Sequence, residues 1–115
     1  MKPDPRALEE RATRLRSFLE RNPEDETAWF GLGRALLELE RPGEAAAAFR
    51  RAVELRPDYT AAWRDLGRAL LSGGDAAGGS EALRQGLAAA ERTGDLQAGR
   101  EIEVFLRRAD RSSGR

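Results

Sequence analysis

The sequence predicts an all-α fold, a solenoid of six short helices stacked as antiparallel pairs, and three observations carry that prediction. Residues 28–37 read Ala-Trp-Phe-Gly-Leu-Gly-Arg-Ala-Leu-Leu and residues 62–71 read Ala-Trp-Arg-Asp-Leu-Gly-Arg-Ala-Leu-Leu, agreeing at eight of ten positions with a spacing of 34 residues. Self-similarity at a fixed period marks a chain that stacks copies of one supersecondary unit. The composition suits helix: 35% of residues are charged, only 6% are aromatic, and mean hydropathy is −0.64, with Ala, Leu, Glu and Arg prominent. Breaker pairs, among them Asn22-Pro23, Pro42-Gly43 and Gly73-Gly74, punctuate the chain at short intervals with no strand alternation between them. Connections that short force sequential helices to be antiparallel neighbours.

The elements follow in order. Asp4 before Pro5 supplies an N-cap and a first-turn proline, and Leu8, Ala12, Leu15, Phe18 and Leu19 then recur on one face until Asn22-Pro23. The next helix runs from about Asp25 to Leu39, with Trp29, Leu32, Ala35, Leu36 and Leu39 as its stripe. After the Pro42-Gly43 break, Ala45 to Leu55 continues, with Ala45, Ala48, Phe49, Ala52, Val53 and Leu55 inward. Arg56-Pro57-Asp58 separates it from a helix over about Tyr59 to Ser72, carrying Trp63, Leu66, Leu70 and Leu71. Beyond Gly73-Gly74-Asp75, a segment from Ala76 to Glu91 contains Gly78, Gly79 and Gly86, each costing about 1 kcal/mol relative to alanine. A frayed first turn is expected there, with Ser80-Glu81 as the start. The last helix, Leu96 to Ala109, turns Leu96, Ile102, Phe105 and Leu106 inward.

The expected organisation is a tail over 1–4, one domain over 5–109 and a disordered tail over 110–115. Within the domain, a leading helix covers 5–22, two repeats cover 26–59 and 60–93, and a polar-faced helix over 94–109 covers the last apolar surface.

Composition excludes several function classes. The chain has no cysteine and no histidine, so thiolate or imidazole metal sites, thiol redox chemistry and histidine-based triads are ruled out. No other nucleophile and base converge, so neither an enzyme, nor a cofactor, nor a metal is expected. Twenty basic and twenty acidic side chains cancel, which argues against nucleic acid as the main partner. Neither a signal-peptide core nor a membrane-length apolar run is present in the sequence, and the expectation is a cytoplasmic protein.

The period and the residues within it resemble the tetratricopeptide repeat. The first unit carries its pattern as Trp29, Leu32-Gly33, Leu36, Ala45, Phe49, Ala52 and Pro57; the second carries Trp63, Leu66-Gly67, Leu70, Leu83 and Leu87. Gly79 and Gly86 depart from it by replacing small alanines, and Glu91 stands where a closing proline belongs. Leu15, Phe18, Leu19 and Pro23 sit one period before Phe49, Ala52, Val53 and Pro57, so the opening helix resembles the second half of a preceding repeat. The segment over 94–109 is similar to the capping helix of short bacterial members.

The resemblance implies a right-handed superhelix whose first helices line a concave groove where peptides dock. It also implies a protein–protein interaction module or scaffold. Groove positions are Thr27, Phe30, Gly31, Arg34, Leu37 and Glu38 in the first unit, then Arg64, Asp65, Arg68, Leu71 and Ser72 in the second. Arg34, Arg64 and Arg68 on one wall suit an acidic peptide or a chain-terminal carboxylate, with Phe30 as apolar contact. The competing reading pairs these arginines with Glu38, Asp65 or Glu101 as a solvated face. The lysines and asparagines with which one subgroup clamps chaperone tails are replaced here by Phe30, Arg34 and Asp65, so that clamp does not transfer. Self-association through the solenoid ends is the alternative function, giving a homo-oligomer; a nucleic-acid adaptor is the third.

Overall fold

The computed structural model describes residues 2–114, the last three of them as backbone alone. The outermost residues of the two expected tails, Met1 and Arg115, lie outside the described residues. Six helices are present among the described residues: α1 (Pro5–Arg21), α2 (Glu26–Glu38), α3 (Pro42–Leu55), α4 (Thr60–Ser72), α5 (Ala76–Thr93) and α6 (Leu96–Gly114). Each helix packs on the next, and beyond those sequential contacts α2 touches α4 and α4 touches α6. The odd- and even-numbered helices therefore form two rows, the all-α solenoid that the repeat predicts.

Local chemistry sets the helix starts. The side chains of Asp4, Asp25, Asp75 and Asp95 accept bonds from the backbone N–H of Arg6, Ala28, Gly78 and Ala98 at 2.8–3.1 Å, satisfying donors that the first helical turn leaves open. α3 begins at Pro42, three residues before the expected Ala45, because proline's fixed φ and missing N–H suit a first helical position. The ends are glycine-assisted: Gly94 takes φ 74° after α5. Gly74 takes φ 91° after α4, and Glu40 occupies the equivalent place one period earlier with φ 60°.

The core is made where a second helix of a pair crosses its first. A Cβ on Gly33 would lie 2.6 Å from the Phe49 ring, and one on Gly67 would lie 2.6 Å from Leu83 Cγ. Phe49 and Leu83 are fully buried. In the second pair the crossing is barer still, since a Cβ on Gly79 would meet Leu71 Cγ at 2.7 Å and the Gly67 carbonyl at 3.1 Å. Trp29 and Trp63 are half-buried rather than enclosed. Each donates its indole N–H to the carbonyl of the proline six residues earlier, Pro23 and Pro57, at 2.8 Å. This ties the start of each repeat to the turn before it.

Several expectations are corrected. α5 is not frayed: it starts at Ala76 under the Asp75 cap, and Gly79 and Gly86 are buried at helix crossings where a larger residue has no room. α6 runs through residues 110–114, which are not a disordered tail; Ala109 is buried, and Asp110 bonds to Arg84 at 3.2 Å and Ser80 at 3.4 Å, holding the added turn against α5. Leu96, expected inward, is 72% exposed because it sits at the very start of α6, beyond the α5 contact. Phe18 is 40% exposed, since among the described residues nothing packs on that side of α1.

Gly33→Ala should destabilise the protein by about 1–3 kcal/mol, overpacking against Phe49 outweighing alanine's helix propensity. Gly43→Ala, where a Cβ meets nothing within 4 Å, should be neutral or slightly stabilising. Urea denaturation checks both, and equal midpoints for the two variants would refute the crossing argument.

Candidate functional site

The even-numbered helices present the residues expected in the groove, and the most buried of them organises the others. Asp65, midway along α4, has no solvent exposure. Burying a carboxylate costs several kcal/mol unless charge and hydrogen bonds compensate. Three guanidiniums compensate it: Asp65 Oδ1 accepts from Arg64 Nε at 3.1 Å and Arg68 Nη1 at 3.3 Å, and Oδ2 faces Arg34 Nη1 of α2 at 3.7 Å. Oδ2 has no hydrogen-bond donor within range, so Arg34 holds it by charge alone. Arg64 also donates to Glu101 of α6 at 2.9 Å. One carboxylate thus joins the two repeats, and Arg64 joins them to the last helix.

The Arg64 guanidinium shows the balance. Burial works to lower its pKa, while the hydrogen bonds and charges of Asp65 and then Glu101 raise it, and the net direction is up.

Aromatic rings form the neighbouring surface. Phe30 lies 5.0 Å from Tyr59 and 5.7 Å from Phe49, ring centre to ring centre, in tilted contacts. Arg34 lies over Phe30 at 5.8 Å, Arg56 over Tyr59 at 4.8 Å, and Arg68 over Phe105 at 5.3 Å. Burial raises the Tyr59 hydroxyl above its ordinary pKa of 10.0; Arg56 opposes the shift, and Glu26 and Asp65 add to it.

The sequence-predicted residues fall in four places. Phe30, Arg34, Arg64, Asp65 and Arg68 come together as described. Glu38 joins Arg34 and Arg68 in lining a cavity of about 720 Å³ at one end of α2. Thr27 lies at the opposite end of α2, in a shallow recess beside Arg21 and Asn22. Leu71 packs into the α4–α5 crossing against Gly79. Among the structural signature, Leu32, Gly33, Ala45, Phe49, Ala52, Leu66 and Gly67 are buried, Trp29 and Trp63 half-buried, and Pro57 exposed.

Leu37, also expected in the groove, lines that cavity too, but sequence reasoning missed the rest of it: Lys2, Pro3, Asp4, Pro5 and Leu8, with Leu39 and Glu40. A signal existed in the Asp4-Pro5 cap, which fixes the path of the chain just before α1. No group of His, Cys, Asp and Glu able to hold a metal occurs among the described residues. No helix among them is long and apolar enough to cross a membrane.

Known proteins match this architecture. The family model for the cytochrome c-type biogenesis protein H TPR domain matches residues 2–98. TPR repeat-containing protein PA0015 of Pseudomonas aeruginosa is 41% identical over 98 residues, spanning 85% of this chain and 93% of that one. The solution structure of protein BPP2914 from Bordetella parapertussis is similar with a TM-score of 0.75 and 38% identity, covering 88% of each chain. The TPR2B domain of yeast Sti1, solved in a pHsp70 complex, gives a TM-score of 0.82 at 22% identity over 88% of this chain and 81% of that one; at that identity it shows the fold alone.

Two measurements check this geometry. Asp65→Asn should lower stability in urea by about 1–3 kcal/mol, because three guanidiniums lose their shared counter-charge while half-exposed positions soften the loss; an unchanged midpoint would remove Asp65 as organiser. Tyr59 is the single tyrosine, so phenolate absorbance reports it alone, and its midpoint in the folded protein should lie above 10.0. Because the folded value is raised, the group's contribution to stability is full below the unfolded pKa and is lost as pH climbs through the folded one. A midpoint at or below 10.0 with helicity intact would contradict the packing of Tyr59.

Proposed function

The chain belongs to the tetratricopeptide-repeat family, within the cytochrome c-type biogenesis protein H TPR domain group, and from that membership we propose that it is a non-catalytic module that captures an acidic or C-terminal peptide segment along α2 and α4. Tetratricopeptide-repeat domains are protein–protein interaction modules, and stacked helix pairs offer extended surfaces rather than enclosed pockets. On this reading residues 26–59 and 60–93 are the two full repeats, α1 is the second half of a preceding one, and α6 is the cap.

One observation carries the choice of ligand. Arg34 and Arg68 keep 45% and 43% of their side chains exposed while sharing with Arg64 a single buried carboxylate. Counting Glu101, three guanidiniums face two carboxylates. A ligand carboxylate placed between Arg34 and Arg68 would receive charge-assisted bonds that Asp65, already engaged and fully enclosed, does not exhaust. Phe30, half-buried beneath Arg34, supplies an apolar contact beside it. The same distances favour a second reading, in which the guanidiniums are spent on Asp65 and Glu101 and the face is only solvated.

Binding of a fluorescent acidic peptide, with a free and with an amidated C-terminus, separates the two. Arg34→Gln/Arg68→Gln should weaken capture by about tenfold or more and flatten its salt dependence, with circular dichroism unchanged. Undiminished binding by that variant would rule out the arginine row as the site.

A further inference from the structure

α1 occupies the place of a repeat's second helix, yet its burial differs from that of the two later helices of the same kind. In α3, Ala45, Ala48, Phe49 and Ala52 are all buried, at 0–2% exposure. One period on, Gly79, Ala82, Leu83 and Gly86 of α5 are buried as well. One period earlier the same positions carry Arg11, Arg14, Leu15 and Phe18, of which Arg11 and Arg14 are exposed, Leu15 half-buried and Phe18 40% exposed. α3 and α5 are each covered by the helix that precedes them in the chain. Among the described residues α2 is the one helix packed closely along α1, and α3 reaches it through the Arg16–Glu44 pair.

The chemistry of the open face says what fits it. Positions that are small in α3 and α5 carry guanidiniums here, flanking an exposed phenyl ring. Among the described residues neither Arg11 nor Arg14 has an ion-pair partner, whereas Arg16 on the same helix pairs with Glu44 at 2.9 Å and Glu9 pairs with Arg41. A second copy is a poor occupant: a symmetric α1–α1 contact opposes the arginines to themselves. The exposed side of α6 mixes Arg100, Arg107 and Arg108 with Glu103 and Asp110, so it carries no acidic surplus to meet Arg11 and Arg14.

We propose that the outer face of α1 docks an amphipathic helix of an acidic protein partner. That helix lies where the first helix of a leading repeat would, setting apolar side chains on Leu15 and Phe18 and carboxylates against Arg11 and Arg14. Helix-on-helix packing of this kind reads as anchors at three-to-four spacing. The face is on a different helix from the Arg34–Arg68 row, although Arg11 and Leu15 come within 4 Å of where a Cβ on Gly31 of α2 would lie, so separate variants must tell the two surfaces apart.

Fluorescence anisotropy with an N-acetylated, C-amidated amphipathic peptide of leucine, alanine and glutamate tests this, with lysine replacing glutamate in the control peptide. The acidic peptide should bind saturably and the lysine peptide should not. Affinity should fall by about tenfold or more in Arg11→Glu/Arg14→Glu and in Phe18→Ser, and hold in Arg34→Gln/Arg68→Gln. Should Phe18→Ser lose helicity, the arginine pair variant decides alone. Equal binding of both peptides, no saturable binding, or loss confined to the Arg34/Arg68 variant would overturn the proposal. So would a dimer, seen by sedimentation, that the peptide cannot enter.

Discussion

Two helices of a pair can approach closely only where one of them is bare, and in this protein Gly33 and Gly67 provide the bare points. Phe49 fills the space beside Gly33, and Phe30 and Tyr59 then stack in sequence from it. Tyr59 immediately precedes α4, so the aromatic run carries the position of the first pair into the start of the second. In the second pair, Gly67 and Gly79 face each other across the crossing and leave room for Leu83 and Leu71. A shift at either crossing would move α2 relative to α4, and with it Arg34 relative to Asp65.

The electrostatics depend on that placement. Asp65 is buried at a cost that only its arginines offset, and one of the three comes from the neighbouring repeat. The first repeat has Gly31 at the equivalent position, so the carboxylate is not part of what the repeat needs in order to stack. It marks one place along the inner row as different from the rest. Three guanidiniums held at a fixed spacing make a pre-organised surface, and ordering such side chains in advance lowers the entropy lost when a ligand arrives.

The architecture was legible because it rests on periodic residues. Trp, Leu-Gly and Ala-Leu-Leu recur at fixed spacing, and their packing roles follow from size alone. Six helices and most of their boundaries could be read this way. Burial of a polar residue could not. Nothing local distinguishes Asp65 from a solvated aspartate, because its enclosure depends on helices distant in sequence. The glycines of α5 misled for a related reason: helix propensity counts their cost in isolation, while Gly79 and Gly86 are required by neighbours that propensity does not see. The helix past Ala109 was hidden likewise, since its support comes from Arg84 and Ser80 on α5. The face formed by Arg34, Arg64 and Arg68 was visible from the 34-residue register, and pairing with Asp65 or Glu101 was one of the two readings it offered; that all three arginines share one fully buried carboxylate was not visible.

The central claim is that the inner row of α2 and α4 is the recognition surface, organised by Asp65. Backbone amide chemical-shift mapping during titration with an acidic, free C-terminal peptide tests it most directly. The expected shifts cluster at Phe30, Arg34, Arg64 and Arg68 and saturate together. Shifts centred on the exposed residues of α3 and α5, with those four unmoved, would contradict it.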